Sequence, residues 1–289
     1  MKTYNAEYEK LVLNDIRSFS SLNHPVKASL VERLLKWRAP LAKLHPNPMD
    51  EFCNPEIGPN HQIVNQYFEQ IKRSLTHVST LEIDPLIVEK MSIGGYMLLN
   101  GHHRWLAATR ANVKTVPIKI VNVTTEEEII KAVNSSNNDY CLSIDLDEVL
   151  INDDENDYLS EAVFFPLNLI YPQKIRKNAA AMIAELQKQG FDVWVYSGQY
   201  YSTTYIKQLL FFHKIKPTGI INGMKNRKPR SGMAEAFREK YKEIVHIDNE
   251  SALIVNPKSK EFNTVEVSSG KEWANEIVKK IQESVSNEG

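Results

Sequence analysis

Cysteine is scarce in this chain of 289 residues, which contains only Cys53 and Cys141. Two thiols so far apart in sequence do not form the dense pattern of a disulfide scaffold or of a cysteine-ligated zinc site. This scarcity excludes a small disulfide-stapled fold. We therefore expect a protein of a reducing compartment, for which the cytoplasm is the default.

Long apolar runs and an excess of charge are also lacking. No stretch stays apolar over the roughly 20 residues that a membrane-spanning helix needs, and residues 1–10 are polar and mixed in charge, unlike a secretory signal. The formal net charge is -1, so the composition does not favour a nucleic-acid partner, although a local basic patch such as residues 225–230 could still contact one. We expect no membrane partner.

Length and patterning predict two domains. The chain is long enough for two hydrophobic cores, and the polar, turn-rich segment 134–139 separates two different rhythms of secondary structure. We place an N-terminal α+β domain at residues 1–135 and a C-terminal α/β domain at residues 136–289.

The expected elements differ between the two domains. In the first, we expect helices at 5–38, 62–74, 101–111 and 126–133, with a short strand broken by prolines at 41–48 and further strands at 86–88, 96–99 and 116–123. In the second, strands and helices alternate, with strands at 141–146, 193–196, 219–221 and 244–247 and helices at 175–189, 202–213, 231–241 and 272–284. Such alternation predicts a parallel sheet covered by helices on both faces.

The strongest chemical signal is the pair Asp145 and Asp147 at the end of an apolar strand. Residues two apart on a strand point the same way, and the carboxyl ends of parallel strands are where open α/β sheets bind ligands. Two carboxylates there can share a divalent metal, or divide the tasks of nucleophile and acid/base. Ser197 and Asp248 also follow strands, and Lys225 and Lys228 precede a helix.

This ordered set resembles the haloacid dehalogenase-like (HAD) phosphohydrolases across residues 140–285. The resemblance implies a Rossmann-like fold with a minimal cap, in which Asp145 is the nucleophile that forms an aspartyl-phosphate and Asp147 is the acid/base. It also implies that Ser197 hydrogen-bonds the phosphoryl oxygens and that Lys228, or alternatively Lys225, neutralises charge.

The same resemblance implies a Mg²⁺ site formed by Asp145, the backbone carbonyl of Asp147, and Asp248. Many relatives carry a second acid where this chain has Asn249, which implies a weaker metal site. The gaps that follow Asp145 and Ser197 are too short for a folded lid. The resemblance therefore implies an open site for a phosphorylated substrate, with bulky or macromolecular phosphates among the candidates.

The second chemical signal is the run Asn100-Gly101-His102-His103-Arg104, where a predicted strand gives way to a helix. Backbone N–H groups and a cation at a helix N-terminus form an anion site. Together with the upstream Pro-Asn-Pro segment at 46–48, residues 40–122 resemble the ParB N-terminal/sulfiredoxin-like fold. His102 stands where sulfiredoxins need a cysteine, so we do not expect that redox chemistry.

The Gly-His-His-Arg form is closest to the free-serine kinases of this fold. That resemblance implies ATP or ADP as the bound nucleotide, with its phosphates at Gly101, His102, His103 and Arg104. It also implies a catalytic base near the first box, for which Glu51 is the first candidate and Asp50 the second. A binding module that keeps the anion site without catalysis is the alternative.

Together these signals predict a two-domain phosphoryl-transfer enzyme. It combines a Mg²⁺-dependent phosphatase with a nucleotide-binding domain that is also a candidate kinase. The alternatives are a nucleotide-gated, DNA-binding regulator of partition type, a small-molecule kinase with an accessory HAD domain, and an inactive phosphatase fold that serves as a scaffold. The absence of a helix-turn-helix pattern after residue 123 and of a basic excess argues against the regulator.

Overall fold

The structure is a computed structural model that describes residues 24–54, 56–77, 83–151, 160–223, 231–247, 251–266 and 272–286, together with Val12 and Asp15. It divides into two compact units, with the division between Val123 and Thr124. The helix Glu126–Ser135, which the sequence analysis assigned to the first domain, belongs to the second unit. Within the described ranges, no helix has both the length and the apolar character required to cross a membrane.

The first unit is built on a five-stranded mixed sheet with the order β1-β5-β3-β4-β2. Its strands are β1 (Arg38–Pro40), β2 (Leu44–His45), β3 (Leu86–Lys90), β4 (Tyr96–Asn100) and β5 (Thr115–Ile120). Its helices are α1 (Leu30–Leu35), α2 (His61–His77) and α3 (His102–Arg110), with 3-10 turns at Leu41–Lys43 and Glu51–Cys53.

Two of these helices cover the sheet through apolar residues at helical spacing. Val64 and Ile71 of α2 and Leu106 of α3 are buried in one core with Leu86 and Leu98 of the strands. The sequence pattern predicted both helices and the three longer strands. It therefore found the elements whose packing faces are most regular.

The long helix predicted for residues 5–38 is wrong over residues 24–38, where the backbone is helical only in α1. The Asn122 side chain accepts from the Ala28 N–H at 2.8 Å and donates to the Ala28 carbonyl at 2.9 Å, which engages both backbone groups of that residue. The helix starts only after Ser29, which forms a capping box with Glu32. Arg38 then pairs with Pro117 in the sheet.

The second unit contains a six-stranded sheet with the order β10-β9-β6-β11-β12-β13. Its strands are β6 (Tyr140–Asp145), β9 (Phe191–Ser197), β10 (Gly219–Asn222), β11 (Glu243–Ile247), β12 (Ser251–Val255) and β13 (Phe262–Glu266), with a separate pair β7 (Ser160–Glu161) and β8 (Ile175–Arg176). Its helices are α4 (Glu126–Ser135), α5 (Ala179–Lys188), α6 (Thr203–Phe212), α7 (Ser231–Lys240) and α8 (Trp273–Ser286).

The four strands β10, β9, β6 and β11 are parallel, as the alternating pattern predicted. Successive residues of these strands enter different cores: Val193 and Val195 lie with the apolar residues of α5, α6 and α8, whereas Trp194 lies with those of α4. Because side chains alternate across a strand, helices cover both faces of this sheet. The antiparallel strands β12 and β13 were not predicted.

A polar network is buried within the Trp194 face. The Tyr241 hydroxyl donates to Asp192 Oδ2 at 2.7 Å and accepts from Trp194 Nε1 at 3.0 Å. Burial raises the pKa of Tyr241, and the hydrogen bond to Asp192 raises it further, so the hydroxyl keeps its proton. Asn138 Nδ2 donates to the other Asp192 oxygen at 2.9 Å. The network links strand β9 to the residue that follows α7.

Tyr241→Phe is expected to lower the free energy of unfolding by about 1–3 kcal/mol, because it leaves a buried carboxylate oxygen and a buried indole N–H without their partner. Urea unfolding followed by circular dichroism measures the change. Tyr140→Phe is the matched control, since its ring packs on Phe191 and its hydroxyl lies outside this network. Equal stabilities of the two variants would contradict the assigned role.

Candidate functional site

The carboxyl edge of the second sheet gathers the residues singled out from the sequence. Strand β6 ends at Asp145 and its parallel neighbour β9 ends at Ser197, with Asp145 opposite Tyr196 in the register. Because neighbouring parallel strands end at the same edge, the loops that leave them meet there. Asp145, Asp147 and Ser197 are therefore brought together, as the strand-end pattern predicted.

A tight helical turn directly after β6 carries Asp147 and holds the side chain of Asp145. Asp145 Oδ1 accepts from the backbone N–H groups of Asp147 at 2.6 Å and Glu148 at 2.9 Å. The turn, Leu146–Leu150, is held down by its buried leucine and valine side chains. Withdrawal from water raises the pKa of the Asp145 carboxyl, while these two N–H groups oppose the rise. Its other oxygen is not used in the turn.

The Asp147 carboxylate bridges to the loop that follows β9. It accepts from Ser197 Oγ at 2.8 Å, from the Gly198 N–H at 2.9 Å and from the Gln199 N–H at 3.2 Å. Ser197 is fully buried, and the Asp147 carboxylate is the nearest acceptor of its hydroxyl. The Asp145 carboxylate is partly desolvated, and the nearby Asp147 carboxylate is fixed by three hydrogen-bond donors. Such a pair suits a nucleophile and a proton-transfer group.

The remaining predicted members of this site, Lys225, Lys228 and Asp248, lie outside the described residues. Their roles as charge-neutralising lysine and metal ligand stay predictions. Within the described part of the chain, no group of three His, Cys, Asp or Glu side chains is placed to hold a metal ion. Asp145 and Asp147 offer the oxygen donors that Mg²⁺ prefers.

Asn222 is a buried residue of this edge that the sequence analysis missed. It ends strand β10 directly beside Ser197 in the register and is 2% exposed. Its Oδ1 accepts from the Thr124 N–H at 3.0 Å and from Thr203 Oγ1 at 3.1 Å, and its Nδ2 donates to the Tyr201 carbonyl at 2.6 Å. Asn222 thus ties down the loop that carries the donors to Asp147. The strand-end rule applied to β10 would have found it.

In the first unit, the predicted anion site is built on a glycine that no other residue can replace without strain. Gly101 joins β4 to α3 with φ of 98°, and a Cβ there would lie 2.6 Å from Leu86 Cδ2. Its carbonyl accepts from the Trp105 N–H at 2.8 Å, which is the first bond of the helix. The backbone N–H groups of residues 102–104 precede that bond and have no partner within the helix.

His102 stabilises the Pro-Asn-Pro segment from inside the unit. Its Nε2 accepts from the Asn47 N–H at 3.2 Å, and its Nδ1 lies 3.5 Å from Asp50 Oδ2. Burial lowers the pKa of His102 to about 4, although the nearby Asp50 carboxylate opposes this. The hydrogen bonds therefore assign a neutral ring with its proton on Nδ1. The ring also packs on Phe52, with centroids 5.3 Å apart.

His103 and Arg104 are engaged in a similar way. His103 Nε2 accepts from the Asn60 N–H at 3.0 Å, and burial lowers the pKa of this ring as well. The Arg104 guanidinium donates to the Asp84 carbonyl at 2.9 Å and to Asn100 Oδ1 at 3.3 Å. The two histidine rings thus support the loop around the helix start, and Arg104 keeps a fixed positive charge beside it.

The two candidate bases of this unit occupy different surroundings. Asp50 begins the 3-10 turn Glu51–Cys53 by accepting from the Phe52 N–H at 2.9 Å, and it is the carboxylate that faces His102. Glu51 is exposed on the same turn. The role of Glu51, or alternatively Asp50, as the catalytic base stays a prediction.

The N-terminal part of the chain is similar to a known protein family. A family model of the ParB N-terminal domain matches residues 41–137. This match confirms the ParB-type resemblance for that segment, which covers less than half of the chain. No curated protein sequence matches the chain. The resemblance of the second unit to phosphohydrolases stays a prediction.

Three solved structures show weaker similarity. The C-terminally truncated chromosome-partitioning protein ParB from Caulobacter crescentus, complexed to the centromeric parS site, is 24% identical with a TM-score of 0.22, covering 35% of this chain and 48% of that one. The same protein complexed with CTP-gamma-S is 19% identical with a TM-score of 0.24, covering 70% and 76%. A mutant free serine kinase in complex with AMP is 13% identical with a TM-score of 0.22, covering 84% and 81%.

This chain thus covers about half the length of the first of these structures. The TM-scores are too low for the overall superpositions to carry an argument about this chain. What those proteins bind is therefore a matter for proposals about the first unit.

The His102 ring is expected to stay neutral down to about pH 4, whereas an ordinary histidine has a pKa of 6.5. Because its pKa is lower in the folded state, the unfolded chain binds a proton first. Stability from this group is therefore complete above pH 6.5 and is lost as the pH falls toward 4. A ¹⁵N NMR titration of the histidine rings measures this, and protonation of His102 near pH 6.5 would contradict the assignment.

Proposed function

We propose that the second unit is a phosphohydrolase of the HAD type that works through Asp145. The observation that carries the proposal is the meeting of Asp145, Asp147 and Ser197 at the carboxyl edge of a parallel sheet, with Asp147 2.8 Å from the Ser197 hydroxyl. The tight turn that begins after Asp145 adds support, because its N–H groups hold the Asp145 carboxylate while the Asp147 carboxylate reaches Ser197 and Gly198.

In this proposal, an oxygen of Asp145 attacks the phosphorus of a phosphate ester and forms an aspartyl-phosphate. Asp147, when protonated, gives its proton to the departing oxygen. Water then attacks the phosphorus and loses a proton to Asp147, which releases inorganic phosphate and restores Asp145. The two Asp145-bound N–H groups fix the side chain for this attack.

A carboxylate and a phosphate repel each other, so the proposed chemistry needs positive charge at the sheet edge. Mg²⁺ would be held by Asp145, the backbone carbonyl of Asp147, and Asp248, and it would screen this repulsion. Lys228, or alternatively Lys225, would contribute a further positive charge from the segment before α7.

Asp145→Asn is expected to lower phosphate release at least 1000-fold, because an amide cannot act as the nucleophile. The assay is a Mg²⁺-supported phosphate-release screen over nucleotides, sugar phosphates, phosphoamino acids and phosphorylated DNA ends, repeated with a chelator. Glu148→Gln makes the same chemical change on the neighbouring, exposed carboxylate and should retain activity. No release by the wild type, or full release by Asp145→Asn, would refute the proposal.

We further propose that the first unit binds a nucleotide at the start of α3. The ParB N-terminal match over residues 41–137 supports it, as do the N–H groups of the first helical turn beside the Arg104 guanidinium. ATP or ADP is the nucleotide that the free-serine-kinase resemblance favours. CTP is the competing candidate because a ParB structure contains a CTP analogue. A kinase reaction through Glu51 or Asp50 and a DNA partner are finer proposals for this unit.

Arg104→Gln is expected to weaken nucleotide binding at least tenfold, because it removes the fixed positive charge at the helix start. Isothermal titration of the full chain with ATP, ADP and CTP, each with Mg²⁺, measures the affinity. Arg110→Gln, at the far end of the same helix, is the control and should bind like the wild type. Binding that is absent, or that Arg110→Gln weakens as much as Arg104→Gln does, would count against the site.

A further inference from the structure

A small polar cluster lies at the carboxyl edge of the second sheet. We define it as Thr124, Thr203 and Asn222, which are the first residue of the second unit, the first residue of α6 and the last residue of β10. Thr203 and Asn222 are buried, and Thr124 is half-buried. Polar side chains withdrawn from water in this way are stable only when they are hydrogen-bonded.

The three side chains of the cluster form a closed ring of hydrogen bonds. Asn222 Oδ1 lies 3.1 Å from Thr203 Oγ1 and 3.2 Å from Thr124 Oγ1, and the two hydroxyl oxygens are 3.0 Å apart. Since each hydroxyl has one proton, one hydroxyl donates to Asn222 and accepts from the other. The Thr124 backbone N–H also donates to Asn222 Oδ1, at 3.0 Å. Removal of either hydroxyl therefore breaks two of the three sides of the ring.

The other end of the Asn222 side chain binds the Ser197 loop, which comprises residues 198–202 between β9 and α6. Its Nδ2 donates to the Tyr201 carbonyl at 2.6 Å. The first two residues of the same loop donate their backbone N–H groups to the Asp147 carboxylate. The loop is thus held by Asp147 at its start and by the cluster near its end.

The start of the second unit, residues 124–126, is itself held in place. Thr125 begins α4 with a capping box that it forms with Glu128, which fixes how the chain enters this helix. Glu126 Oε1 accepts from the Met233 N–H at 3.0 Å, in the first turn of α7. This segment therefore contacts both the end of the Ser197 loop and the helix that follows the predicted site lysines.

The opposite end of β10 carries a comparable threonine that has no bond to this loop. Thr218 is half-buried, and its Oγ1 accepts from the Val193 N–H at 3.0 Å and donates to Asp192 Oδ1 at 3.3 Å. It directly precedes the strand that ends at Asn222. Thr218 therefore allows a general loss of buried hydrogen bonds to be distinguished from a displacement of the loop.

We propose that Thr124 is a positioning residue of the phosphohydrolase site. Through Asn222 it fixes the end of the Ser197 loop, and the start of that loop fixes the Asp147 carboxylate. Catalysis by the second unit therefore depends on residues 124–126, through which the chain enters this unit. This inference rests on the proposed function for its effect on the reaction rate, whereas the ordering of the loop depends only on the hydrogen bonds.

Thr124→Val in the full chain tests the ordering of the loop, because it replaces the hydroxyl with a methyl group that neither donates nor accepts. Deuterium exchange at the amides of Gly198 and Gln199, measured by NMR, is expected to become at least tenfold faster. Thr218→Val is the matched control and should leave this exchange unchanged, as should Thr124→Ser, which keeps the hydroxyl. Thr203→Val removes the other hydroxyl of the cluster and should match Thr124→Val, so it replaces that variant if Thr124→Val does not fold.

Hydrolysis of p-nitrophenyl phosphate with Mg²⁺ tests the effect on the rate. Thr124→Val is expected to lower kcat at least tenfold and to leave KM within about twofold, because a displacement of about 1 Å in a catalytic group costs on the order of 100-fold in rate. Thr218→Val and Thr124→Ser should keep the kcat of the wild type.

The two measurements separate this inference from the proposed function. If the wild type hydrolyses nothing but Thr124→Val still accelerates exchange at Gly198 and Gln199, the proposed function fails and the ordering of the loop stands. If the wild type is active and Thr124→Val matches it in exchange and in kcat, the proposed function stands and this inference is refuted. Equal losses of kcat in Thr124→Val and Thr218→Val would also refute it, because they would indicate lost stability instead of lost position.

Discussion

The Asp147 carboxylate crosses from the loop after one strand to the loop after its parallel neighbour, and the candidate site of the second unit depends on this contact. Ser197 Oγ and the amides of Gly198 and Gln199 all donate to it, at 2.8 to 3.2 Å. The contact forms where β6 and β9 end at the same edge and where a tight helical turn begins directly after Asp145. Asn222 secures the receiving loop from the third strand.

The first unit uses a similar strand-to-helix junction with a different division of tasks. Gly101 permits the sharp turn, and the imidazoles of His102 and His103 accept backbone N–H groups of the surrounding loop. Burial keeps the two rings uncharged, so the positive charge at this junction comes from Arg104 and the helix start. His102 and His103, which the sequence marks as candidate binding residues, therefore also hold the surrounding loop in place.

The features that were predicted correctly from the sequence are those that local residue patterns determine. Strand ends marked by Asp145 and Ser197 were recognisable because an apolar strand followed by a polar residue is a local signal, and the same holds for the Gly101 turn. The missed features depend on distant partners. The backbone of Ala28 is bound by Asn122, which no pattern within residues 5–38 reveals, and Asn222 becomes important only once β10 lies beside Ser197. The structural role of His102 likewise needs Asn47 to be near it.

The most direct measurement of the central claim is the identity of the residue that carries the phosphoryl group during turnover. Acid quenching followed by borohydride reduction converts an aspartyl-phosphate into homoserine, which peptide mass spectrometry locates. The account predicts homoserine at position 145 during hydrolysis of a substrate. Phosphate release without homoserine at that position, or with homoserine at another acidic residue, would contradict it.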